Sequence, residues 1–181
     1  MQSKKGQVWI ETVIYTLIAL AMIGAVLSFA KPKIEQMQDK AIIEDTVNVL
    51  ENMNTIILDV RKVSGNQRVI DLGIKKGSFE INAVNDRIFF EIESKYKYSQ
   101  PGETIKSGSV EILTTEIISK KSYKISLTLN YPDYDLQLKN APVDGKKKIT
   151  KASSMYKIFI VNKGKSEAVG DDRTILEFEV D

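Results

Sequence analysis

The 181-residue chain contains no cysteine and no histidine. Without cysteine there can be no disulfide, no thiol nucleophile and no thiolate metal site. Without histidine the commonest general base and the commonest transition-metal ligand are missing. Asp, Glu, Lys, Ser and Tyr remain for catalysis, but they form no recognisable triad. A P-loop and a dinucleotide fingerprint are also absent. The expectation is a protein that is not an enzyme and needs no cofactor. Charge of one sign is lacking too. Lys and Arg number 26 and Asp and Glu 24, a net charge of +2. That balance gives no electrostatic reason to expect nucleic acid as a partner. No Asn-x-Ser/Thr sequon, internal repeat or low-complexity linker occurs.

What the chain does have is a long apolar run near its start. Residues 12–30 read TVIYTLIALAMIGAVLSFA and carry no charge. As a helix, at about 1.5 Å per residue, the run spans roughly 28 Å, close to the hydrocarbon thickness of a bilayer. A buried core helix of this length ordinarily keeps a polar face. Ahead of the run lie the basic pair Lys4 and Lys5, then Gly6, Gln7 and, at the mouth of the apolar stretch, Glu11. A carboxylate entering a membrane helix costs on the order of 2–3 kcal/mol unless it finds a partner. Glycine at position 6 lets another protein approach the backbone closely.

Lys4-Lys5-Gly6-Gln7, with Glu11 at the fifth position after the glycine, resembles the class III signal peptide of archaeal type IV pilins and archaellins. The resemblance implies a basic leader, residues 1–6, recognised through Lys4 and Lys5 and cut between Gly6 and Gln7 by a prepilin peptidase. It implies that the hydrophobic helix stays on the mature protein and drives assembly. Glu11 would pair with the new α-amino group of Gln7, on its own chain or a neighbour. The implied partners are further copies or related pilin subunits, membrane lipid, the peptidase and an assembly machinery of ATPase and membrane platform. The implied location is single-pass, with the N-terminus cytoplasmic, the C-terminal domain extracytoplasmic, and a surface filament on assembly.

Two other readings fit the same stretch. Ser28-Phe29-Ala30 is a small-x-small pattern of the signal-peptidase type, which would leave Lys31 as the new N-terminus. The apolar run is longer than the roughly 7–15 residues of such leaders. A plain membrane anchor is the other. Lys31 and Lys33 on the far flank weaken any topology argument from charge alone. An anchored β-domain that binds a ligand without polymerising is the alternative function, and an anchored hydrolase a third.

Beyond Pro32, apolar residues recur at Ile34, Met37, Ala41, Ile42, Val47, Leu50, Met53, Ile57 and Val60, mostly three to five apart. That spacing predicts an amphipathic helix. The expected helix covers about residues 8–62, within an N-terminal segment 7–64, and is kinked or locally interrupted near Pro32. Ser64-Gly65-Asn66 reads as its stop. From residue 67 to 181 the period becomes two. Phe79/Ile81, Ile88/Phe90/Ile92, Ile125/Leu127/Leu129/Tyr131, Tyr156/Ile158/Ile160 and Leu176/Phe178/Val180 alternate with polar or outward positions. Turns are expected at Asn85-Asp86, Gln100-Pro101-Gly102, Pro132-Asp133 and around Pro142 with Asp144-Gly145. The fold class is therefore α+β: a long hydrophobic helix followed by an antiparallel β-sandwich-like head of roughly eight strands.

Three clusters are candidates for binding. Lys146, Lys147 and Lys148 with Lys151 form the only dense charge run, read as a solvated loop. Asp133, Asp135, Asp171 and Asp172 could hold Ca²⁺ but lack EF-hand spacing, so no metal site is expected. Tyr96, Tyr98, Tyr123, Tyr131, Tyr134 and Tyr156 could form an adhesive face, although strand aromatics more often serve core packing.

Overall fold

The computed structural model describes residues 4–139, 145–166 and 172–181. It opens with one helix, α1 (Lys4–Val60). Ten strands follow among the described residues: β1 (Gln67–Leu72), β2 (Ser78–Asn82), β3 (Arg87–Ser94), β4 (Thr104–Ser107), β5 (Val110–Ile117), β6 (Ser122–Asn130), β7 (Tyr134–Leu138), β8 (Lys146–Thr150), β9 (Tyr156–Lys165) and β10 (Thr174–Val180). The chain divides into two compact units, residues 1–38 and 39–181, so α1 contributes to both.

The first unit is helical throughout its described length. Its backbone is already helical at Lys4, earlier than the expected start near residue 8. Lys and Gln are ordinary helix formers, and only Gly6 disfavours the early turn. Pro32 lies inside α1 without interrupting it. Proline removes one donor, but the turns on either side keep their own hydrogen bonds and carry the helix across.

The second unit holds two sheets. One has the order β1-β9-β10-β7 and the other β4-β5-β6-β3-β2-β8. Every pairing is antiparallel except β10 with β7, which is parallel. The alternation read from the sequence is the burial pattern found: Ile88, Phe90 and Ile92 of β3 and Ile125, Leu127 and Leu129 of β6 all face inward. One continuous core joins these inner faces to the helix stripe Ile43, Val47, Leu50, Met53, Ile57 and Val60. Each such side chain contributes about 1.5–3 kcal/mol on burial, which is why this half of α1 belongs with the sheets.

The Asn85-Asp86 turn is a β2–β3 hairpin. Asn82 Oδ1 accepts the amides of Val84 (3.1 Å) and Asn85 (3.3 Å), and Asp86 sits at φ 50°. The Lys146–Lys148 run is not a loop but most of the edge strand β8, paired with β2. An edge strand with exposed lysines resists pairing with a second chain, which is the physical use of charge at that place. Pro142, Asp144 and Asp171 lie outside the described residues.

Gly77 precedes β2 at φ 94°, and a Cβ built there would lie 2.2 Å from the carbonyl oxygen of Glu91. Gly77→Ala is expected to cost at least about 1–2 kcal/mol from the left-handed backbone alone, with displacement of the β2–β3 pair added. Denaturant unfolding measures the loss.

Candidate assembly helix and its seat in the head

The amino-terminal part of α1 exposes apolar side chains in every direction. Trp9, Tyr15, Leu17, Leu20, Met22, Val26 and Leu27 are each at least 60% exposed, and Phe29 82%. Successive residues on a helix point 100° apart, so this exposure is a sheath and not a stripe. No described residue of the span is buried, and its length and composition suffice to cross a membrane. Its threonine and serine hydroxyls are satisfied by the helix backbone. Thr12, Thr16 and Ser28 donate to the carbonyls of Val8 (2.9 Å), Thr12 (2.8 Å) and Gly24 (2.9 Å). Such back-bonding removes the cost of placing a hydroxyl in an apolar medium.

Glu11 lies on this helix just before the uncharged stretch. Lys4, Lys5, Gly6 and Gln7 occupy its first turns as helical backbone. Gly6 and Gln7 are therefore not in the extended form a peptidase would grip, and cutting there requires the first turns to open. Ser28, Phe29 and Ala30 are helical as well.

From residue 39 onward α1 is held by polar contacts that the hydrophobic spacing did not announce. Asp39 is 5% exposed. Its Oδ1 pairs with Lys76 Nζ at 2.5 Å, and its Oδ2 accepts the backbone amide of Lys95 at 2.6 Å. Three turns on, Glu51 Oε1 accepts the amides of Ser109 (2.6 Å) and Val110 (3.1 Å) at the β4–β5 turn. Asn54 donates to Ser109 Oγ (2.9 Å) and accepts from the Tyr131 hydroxyl (3.0 Å). At the end of the helix, Asn162 of β9 donates to the carbonyls of Val60 (3.2 Å) and Arg61 (2.9 Å). These bonds satisfy helix-terminal acceptors that would otherwise be stranded. They explain why α1 stops at Val60, ahead of the Ser64-Gly65-Asn66 stop.

The tyrosines do not form a free face. Tyr131 is buried, and Tyr96, Tyr98, Tyr123, Tyr134 and Tyr156 pack against the core. Tyr96 and Tyr98 meet edge to face with centroids 6.4 Å apart, and Lys40 of α1 lies over Tyr96. Arg61 donates to the Tyr134 hydroxyl. The described aspartates of the candidate cluster do not converge either. Asp172 pairs with Lys165 and Asp135 accepts from Gln137, and no group of three or more acidic residues able to hold a metal occurs among the described residues. Comparison with protein-family models, curated proteins and solved structures finds no match.

Asp39→Ala and Glu51→Ala are each expected to lower stability by about 1.5–3 kcal/mol, because each strands buried or turn amides. Denaturant unfolding reads the loss, and amide exchange should quicken over residues 39–51. Burial pushes the Tyr131 phenol up, with the nearby Glu51 charge adding to it. The folded state therefore binds this proton more tightly than the unfolded one. The stability it supports is present below the ordinary tyrosine value of about 10 and is lost as pH rises above it. Tyr131→Phe should flatten the decline above about pH 10 relative to the parent, in melting curves recorded across that range.

Proposed function

We propose that this protein is a structural subunit, major or minor, of an archaeal type IV pilus-like surface filament. The observation that carries the reading is a single helix with two kinds of surface. Its first part is uncharged and apolar all round over residues 12–30, and its last part is pinned into a β-rich head. Such a helix needs an apolar surrounding at one end and supplies a rigid handle at the other. The leader pattern Lys4-Lys5-Gly6-Gln7 with Glu11 supports processing ahead of the apolar run and not behind it.

On this reading the peptidase cuts the Gly6–Gln7 bond and Gln7 becomes the N-terminus. The chain sits in the membrane with its N-terminus cytoplasmic and its head extracytoplasmic. Lipid covers the apolar sheath before assembly, and the sheaths of neighbouring subunits cover it afterwards. The exchange of one apolar surrounding for another makes extraction from the bilayer tolerable. Glu11 contributes an ion pair with an N-terminal amine of its own or a neighbouring subunit. Within the low-dielectric fibre core, that pair selects the axial register. The reading assigns no catalysis to the protein, and its partners are like subunits, lipid, the peptidase and the assembly machinery.

The mature N-terminus decides between this reading and its rivals. Protein purified from membranes should begin at Gln7 by N-terminal sequencing or intact mass. A start at Lys31 would establish export by signal peptidase, and an uncut chain would establish a permanent anchor bearing a binding domain. Glu11→Ala should leave processing and membrane levels intact while reducing filaments at least roughly tenfold, equivalent to the loss of about 1.4 kcal/mol per subunit contact. Electron microscopy of the cell surface counts them, and normal fibres in this variant would sink the role given to the carboxylate.

A further inference from the structure

The pleat sends Ile88, Phe90 and Ile92 of β3 into the core, so Phe89 and Glu91 face the opposite way, onto the outer surface of the six-stranded sheet. Two adjoining depressions on that surface, of about 570 and 220 Å³, have Phe89 and Glu91 in the walls of both, and the two together are termed the trough. The register sets Lys148, Glu80, Phe89, Thr128, Glu111 and Lys106 in one row across the sheet. The adjoining row carries Ser78, Glu91, Ser126 and Leu113.

Three properties of the trough narrow what it accepts. First, its charges are balanced. Glu91 pairs with Lys124 (3.0 Å) and Lys148 (4.0 Å), Glu111 with Lys106 (3.1 Å), and Asp86 with Arg173 (2.7 Å). Among the described residues, the charges left without an ion pair along the trough are Arg87 and Glu80, one of each sign. A polyanion or polycation gains little from such a surface. Second, the hydroxyls of Ser78, Thr104, Ser126 and Thr128 have no partner among the described residues, so an apolar ligand would strand them. Third, the surface is a sheet face and not an edge. Its backbone groups are consumed in the ladders, which excludes recognition of a peptide by strand addition. An uncharged ligand with many hydroxyls and an apolar flank matches all three, since its flank can lie on the Phe89 ring.

We propose that this trough binds a neutral oligosaccharide, with Phe89 stacking on a pyranose ring and the Ser and Thr hydroxyls bonding to those of the sugar. The site goes beyond the filament reading and is independent of it, because a single unassembled chain carries the whole trough.

The full chain in phosphocholine nanodiscs, which offer no competing sugar headgroup, is titrated with maltohexaose, cellohexaose, mannohexaose and chitohexaose by calorimetry. At least one should bind saturably, one per chain, with Kd of about 1 mM or tighter. Phe89→Ala should weaken that binding at least roughly tenfold, and Thr128→Arg, which fills the floor, should do the same. Ile118→Ala, at a solvent-exposed turn outside the trough, should stay within about twofold of the parent. Circular dichroism checks each variant, and Thr128→Arg carries the test if Phe89→Ala misfolds. The proposal is overturned if none of the four sugars binds by about 10 mM, if both trough variants bind like the parent, or if heparin binds more tightly than any neutral sugar.

Discussion

A single helix in this protein has to meet two solvents. Apart from its ends and the one acceptor that Pro32 leaves without a donor, the backbone of α1 is satisfied by the helix itself, so its side chains decide what may surround it. Over residues 12–30 those side chains are uncharged and mostly apolar on all sides, and water is a poor surrounding for most of them. From Ile43 to Val60 they are apolar on one side, and the sheets cover that side. The head folds around the second surface, and the proposed assembly uses the first. Neither arrangement would survive a charged residue in the middle of the uncharged run or a break in the buried stripe.

An apolar stripe does not by itself fix position. Sliding a helix by one turn along a core keeps most of its contacts in kind. The polar anchors remove that freedom. Asp39, Glu51, Asn54 and Asn162 each meet a partner at one register, and a shifted helix would bury Asp39 away from Lys76 and the Lys95 amide. A buried carboxylate without partners costs several kcal/mol, far more than a mismatched methyl group. The head is thereby held at one register on the part of α1 that follows residue 38.

Legibility in the sequence followed position in the sheet. Five strands announced themselves by alternation, and these are β2, β3, β6, β9 and β10, each paired on both sides. The edge strands β1, β4, β7 and β8 did not, because an edge has fewer neighbours to demand apolar residues and is protected by charge. β8 is the clearest instance: Lys146, Lys147 and Lys148 look like a solvated loop and are a strand. β5 hides for another reason, since its inward third position is Thr114, a polar residue satisfied at the Ser99 amide and hydroxyl. The trough was invisible for a related cause. Phe89 reads simply as an outward residue of a strand until the register sets hydroxyls from neighbouring strands beside it.

The uncharged run, its length and the change of period from helical to two at residue 67 are properties of consecutive residues, so the sequence by itself determined a long apolar helix followed by a β-rich head. The Lys4–Glu11 pattern is likewise local, and its meaning rests on resemblance. Tertiary structure alone decided where the helix ends, which strands form which sheet, that β7 pairs in parallel with β10, and which polar side chains seat the helix. Most of those outcomes depend on partners far apart in the chain: Tyr134 and Thr174 of the β7–β10 pair are separated by 40 residues, Asp39 and Lys95 by 56, and Asn162 and Val60 by 102. A carboxylate or an amide looks the same in the sequence whether it faces water or closes the end of a distant helix, and only the fold brings the donor within reach.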